Sequence, residues 1–129
     1  MKVNVYQFHL TREEYDAVNR DGWDATERTQ QYCEKNMLDI RTNAGDAGHY
    51  AATNMHEYNL VTTVDADSDD VFDALEIAYR AMNLWDNPDI IQRHRDCASM
   101  SIGDICEVAG RLFICATVGF EEFKLGEVA

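Results

Sequence analysis

The sequence predicts an α+β domain, a small and mainly antiparallel sheet packed with about three helices. Three observations predict it. Residues 105–118 break at Ala109-Gly110 into two apolar, β-rich runs, the pattern of a hairpin. Two further β-rich segments, 2–10 and 58–64, stand upstream. Between these segments the apolar residues recur at helical spacing, above all across 71–82. The 129 residues fit one domain, 1–129.

Residues 2–10 read as the N-terminal strand. Val3 and Val5 share one parity while Tyr6, Phe8 and Leu10 share the other, a slip that predicts a bulge or a strand buried on both faces. Thr11 and Glu14 fit a capping box. The short helix they open turns Tyr15 and Val18 inward and ends at Gly22, with Trp23 following as a packed anchor. Residues 26–40 are mostly helical, with a narrow apolar face of Thr29 or Gln30, Cys33, Met37 and Ile40. Residues 43–50, NAGDAGHY, hold two glycines among small residues and predict a mobile loop.

Residues 58–64, YNLVTTV, form a β-branched strand. Residues 65–83 start with acids and become a helix capped by Asp67 or Ser68. Val71, Phe72, Leu75, Ala78, Tyr79 and Met82 make its buried stripe, and Asp69, Asp73 and Glu76 line the opposite face. Asn87-Pro88 interrupts the chain, and a short helix over 88–94 follows. The run 112–116, LFICA, has no polar alternation, which predicts a central strand covered on both faces.

Charge is the most informative bulk property. The net charge is −13, beyond the magnitude of about 2–8 that suits the solubility of a small domain. Such a field repels nucleic acid and acidic membranes and attracts basic proteins. Residues 65–91 carry eight acids against Arg80, a net −7 of that total. Asp65, Asp67, Asp69, Asp70, Asp73 and Glu76 stand first, and Trp85, Asp86 and Asp89 extend the patch, with Trp85 as an aromatic anchor. On a helix, acids at i, i+4 and i+7 are spaced about 6 Å apart, close to the phosphate repeat of a nucleic-acid strand, so a row of carboxylates can occupy a groove built for phosphates. A solvated helix face is the plainer account of such a run.

Other chemistries fit less well. Asp65, Asp67, Asp69 and Glu76 match positions of a calcium loop, but Asp70 stands where the turn needs Gly, and a strand precedes it. Cys33, Cys97, Cys106 and Cys115 include no CxxC pair, and the nine-residue repeat of the last three, even with His94, is not zinc spacing. No metal or cofactor is expected. Cys97 with His94 or His56 as base rests on composition alone, and no phosphate loop is present, so the chain is not read as an enzyme. Asp104, after Ser99-Met100-Ser101, reads as turn chemistry. The N-terminus lacks the apolar core of a signal peptide and no run reaches about 18 apolar residues, which predicts a cytoplasmic protein with reduced thiols.

Over 58–123 the order of features resembles the YodL-like domain. The pieces are Tyr58-Asn59-Leu60-Val61, a helix from Leu75 to Asn83, Pro88, then Ser99-Met100-Ser101-Ile102-Gly103-Asp104-Ile105, Gly110, and Gly119-Phe120. The segment between Asn83 and Ser99 departs from the pattern, with His94-Arg95-Asp96-Cys97 in place of a more compact lead-in, and residues 1–57 lie outside the match. The resemblance supplies no catalytic residues. It implies a phage or mobile-element protein, of the kind found beside functions that counter host defence. Together with the charge, this gives the expected function. The chain binds and inhibits a basic host protein, a defence complex or nucleic-acid-binding protein in the bacterial cytoplasm, in the anti-restriction or anti-CRISPR manner and by nucleic-acid mimicry. It contacts neither nucleic acid nor membrane directly. The alternatives are a small-molecule-binding domain or enzyme using the 43–56 loop with His49 and His56, or an acidic accessory protein without an inhibitory role.

Overall fold

A computed structural model describes residues 1–38, 44–84, 87–117 and 119–125. The elements run β1 (Lys2–Gln7), α1 (Arg12–Asp21), α2 (Glu27–Asn36), α3 (Ala44–Asn54), β2 (Asn59–Asp65), α4 (Val71–Leu84), β3 (Ile91–Arg93), β4 (Ile105–Val108), β5 (Arg111–Cys115) and β6 (Phe120–Phe123). The fold is α+β. Its six strands form one antiparallel sheet in the order β3-β2-β1-β4-β5-β6.

The alternation along each strand divides two apolar clusters between the two faces. On one face Val3, Val5, Val64, Cys106, Val108 and Phe113 pack beneath Leu75, Ala78 and Met82 of α4. On the other, Phe8, Ile105, Ile114 and Phe123 pack with Leu38, Tyr50 and Ala51. The slip in β1 appears as a register shift: Val5 pairs Thr62 and Tyr6 pairs Leu60, so Val61 is the extra residue of a bulge. The β4–β5 hairpin turns at Ala109 and Gly110, both with positive φ (53° and 72°), as a two-residue hairpin turn requires. Both faces of β5 are covered, but the strand is fifth in the sheet; β1 and β4 hold its centre.

Several expectations are corrected. The second strand of the hairpin stops at Cys115, and a turn closed by the Ala116 amide on the Gly119 carbonyl (2.9 Å) leads into β6; Val118 lies outside the described residues. The expected loop is a helix over residues 44–54, and Gly48 lies against Phe123, where a Cβ would make an ordinary 3.4 Å contact with the Phe123 Cβ. Asn43 is outside the described residues. The expected helix over 88–94 is a single 3-10 turn, Pro88–Ile90, followed by edge strand β3. Both Tyr15 and Trp23 are exposed, and Trp23 stacks on Tyr32 rather than entering the core. In α2 the buried residues are Thr29 and Lys35, while Met37 just beyond it is exposed; Ile40 is not described. The capping box of Thr11 and Glu14 forms as expected, and Gly22 ends α1 with φ 86°.

Phe113 is wholly buried at the contact of β5 with α4, where its ring meets Phe72 edge-on at 5.5 Å. Phe113→Ala is expected to cost about 3–5 kcal/mol in a urea unfolding titration. A loss under about 1 kcal/mol would mean that this side chain does not hold the core.

Candidate functional site

The acidic stretch divides into two places. Asp65 closes β2 and Asp89 lies in the turn before β3; both are exposed and line one shallow cavity of about 170 Å³ with Lys2 and Thr63. Asp67, Asp69 and Asp70 are exposed in the connection to α4. The helix cap is Asp70, not Asp67 or Ser68. Its carboxylate accepts from the Asp73 amide at 3.4 Å, while Ser68 Oγ accepts from the Asp70 amide at 3.0 Å. Because α4 begins at Val71, Asp69 precedes it. The expected helical row of Asp69, Asp73 and Glu76 is thereby reduced to Asp73 and Glu76, both exposed. Trp85 and Asp86 lie outside the described residues.

The buried side of α4 also differs from its expected stripe. Ala74, Leu75, Ala78, Ala81 and Met82 face the sheet, whereas Phe72 and Tyr79 are 53% and 38% exposed. The helix is apolar around more than half of its circumference, so periodicity alone does not choose the inner face. The small residues take the line of closest approach, and the two rings are displaced to the flank.

That flank borders a groove. α4 crosses β1, β2 and β4. On the same face of the sheet β6 presents Phe120, half-buried, and Glu122, exposed. The space between is a cavity of about 230 Å³, lined by Glu76 and Tyr79 from the helix and by Cys115, Thr117, Gly119 and Phe120 from the end of the β5–β6 hairpin. Arg111 grips Glu122 through two hydrogen bonds, 2.9 and 2.7 Å. The Glu122 carboxyl is held below its usual range, chiefly by those bonds. Nothing in the sequence pattern marks these walls. They become visible once β6 is known to pair with β5.

A second polar assembly lies where β1 ends and β4 begins. The Asp104 carboxylate accepts from Lys35 Nζ, Gln7 Nε2 and the Ser101 amide, each at 3.0 Å. The Lys35 and Asp104 side chains are only 6% and 2% exposed. Gln7 also exchanges hydrogen bonds with the Ala98 backbone (3.0 and 3.1 Å), and its Oε1 lies 2.8 Å from His9 Nε2. Tyr58 donates its hydroxyl to the Gly103 carbonyl. The expected turn role of Asp104 is therefore half of its work; the ion pair with α2 was not foreseen.

Nucleophilic chemistry finds little support in this geometry. Burial pushes the Cys115 thiol up to about 12 and the Cys106 thiol well above its ordinary value, so both stay protonated near neutrality. Cys97 packs against the cluster beneath α4. His94 Nε2 lies 2.7 Å from Thr63 Oγ1, but that hydroxyl donates to Asn4 Oδ1 at 2.8 Å, so His94 donates to it instead of standing as its base. His49 is exposed on α3, and His56 Nε2 sits 3.3 Å from Glu57 Oε1. Among the described residues no three His, Cys, Asp or Glu side chains converge as metal ligands, and no helix is long and apolar enough to cross a membrane. No family model, curated protein or solved structure matches the chain.

His9 reports on the buried assembly. Desolvation lowers its pKa; Asp104 pulls it upward and Lys35 pushes it down. Neutral His9 donates from Nε2 to Gln7 Oε1, which already accepts from the Ala98 amide. A depressed folded-state pKa means that the unfolded chain binds the proton first as pH falls. Stability contributed by neutral His9 is thus full above about pH 6.5 and declines below it. His9→Gln is expected to flatten the fall in urea midpoint between pH 7 and pH 5 relative to the parent chain. An unchanged slope would mean that His9 is not coupled to folding.

Proposed function

We propose that this chain is an acidic binding module that docks a basic protein through the outer face of α4, and that its task is to inhibit that partner. The observation that carries the reading is the flank of α4. Phe72 and Tyr79 are exposed there beside the carboxylates of Asp73 and Glu76, with Asp69 and Asp70 at the helix start. Exposed aromatic rings framed by charge suit a protein interface, where a few aromatic anchors supply most of the affinity and charges supply steering. The whole-chain charge of −13 extends the attraction beyond the contact.

The partner is a nucleic-acid-handling or host-defence protein, whose basic groove such a surface fits. Phosphate mimicry rests on fewer carboxylates than a three-residue helical row would provide, so the aromatic flank carries more of the contact. All four cysteines are free thiols, the state that a reducing bacterial cytoplasm maintains.

The test takes the basic protein that co-purifies with the chain and compares the parent with the triple variant Asp69→Asn, Asp73→Asn, Glu76→Gln. These exposed side chains should alter stability by no more than about 0.5 kcal/mol. The expected result is a normally folded variant that binds more weakly and with a shallower dependence on salt. Equal affinity across salt concentrations would make the acids a solubility feature and overturn the reading.

A further inference from the structure

We propose that the groove between α4 and the β5–β6 hairpin is a socket for one arginine side chain presented by the partner. This rests on the docking role of α4 and adds what the groove would recognise. Size narrows the occupant. The cavity is about 230 Å³, below the range of roughly 300–1,000 Å³ typical of small-molecule sites, and suits a single long side chain.

The walls then choose among side chains. Tyr79 and Phe120 bring two aromatic rings to the cavity, and a cation over such a face is attracted by the ring quadrupole. Glu76 brings an exposed carboxylate to the same cavity, and among the described residues no cationic side chain lines it. Thr117 adds a hydroxyl, and the thiol of Cys115, kept neutral by burial, adds a soft, polarisable wall. A planar cation that stacks on rings while donating two parallel hydrogen bonds to a carboxylate matches this set. Guanidinium does both, whereas an ammonium is a more strongly hydrated point charge.

The groove sits beside the acidic start of α4, so the electrostatic field that draws a basic partner also directs its arginines toward Glu76. Thr117 and Gly119 belong to the connection between β5 and β6, where Gly119 has φ 74°. A side chain at that position would be strained, and glycine leaves the wall low.

The experiment needs no partner. The full chain, labelled with ¹⁵N, is titrated with N-acetyl-arginine methylamide and with its lysine and citrulline counterparts. The expected result is saturable shifts at the amides of Glu76, Tyr79, Thr117, Gly119 and Phe120 with the arginine probe. The lysine probe should bind more weakly, and citrulline, the neutral analogue, should give no saturable shift. Glu76→Gln and Tyr79→Ala, both exposed positions, should each weaken arginine binding by about fivefold or more while the rest of the spectrum stays folded.

Equal binding of citrulline, equal binding of lysine, or shifts centred on 65–70 that survive both substitutions would overturn the socket. Failure here is separable from failure of the docking role. A partner whose affinity falls in the triple acidic variant but is unmoved by Tyr79→Ala leaves α4 as the docking face and removes the socket. An arginine probe that saturates the groove, in a chain whose partner ignores Asp69→Asn with Asp73→Asn but binds more weakly after Glu76→Gln, supports the socket and removes the wider docking face.

Discussion

A buried ion pair sets the frame of this protein. Asp104, at the entry to β4, is almost fully enclosed and accepts from Lys35 of α2, from Gln7 of β1 and from the Ser101 amide. A buried carboxylate missing a partner is costly, so all three donors must be in place together. That condition joins a helix, the first strand and the segment before β4, which are far apart in the chain. Gly103 makes the approach possible: it has φ 89°, and a Cβ there would stand 2.5 Å from Lys35 Cγ. The order Ser101, Gly103, Asp104 is thus a device for passing a lysine stem over a bare backbone to a waiting carboxylate.

This anchoring has consequences across the sheet. With α2 tied at the strand ends and α3 laid against β5 and β6, that face is covered by α3 and by Tyr32 and Leu38 in and just after α2. Among the described residues the helix on the opposite face is α4, which crosses β1, β2 and β4. One helix does not roof six strands, so the β6 side of this face remains open beside the flank of α4. The groove with Tyr79 in its wall, and the exposure of Phe72 on the same flank of α4, follow from that shortfall. Acidic charge and aromatic surface are brought side by side by helix placement, not by any local motif.

Features encoded over a few residues were legible in the sequence. The Ala109-Gly110 turn, the capping box of Thr11 and Glu14, the stop at Gly22 and the parity slip in β1 all depend on neighbours along the chain. What escaped depends on contacts between distant segments. α3 contains glycines that read as a loop, yet Tyr50 and Ala51 bury against the sheet, a tertiary gain that outweighs poor propensity. Strands β3 and β6 are too short to announce themselves and exist because a neighbour offers a ladder. In α4 the apolar residues spread too widely for their period to select the inner face. The acids of the candidate surface were visible as composition, but their division between the β2–β3 edge and the α4 flank required the fold.

The claim that the Lys35–Asp104 pair organises the fold is tested most directly by a double-mutant cycle in urea unfolding, using Lys35→Met, Asp104→Asn and both together. Each single change should cost about 3–5 kcal/mol, because it strands a buried polar or charged partner. The double change should cost less than the sum of the singles, with a coupling of about 1.5–3 kcal/mol. Additive losses, within about 0.5 kcal/mol, would show that the two groups act independently and would contradict the account.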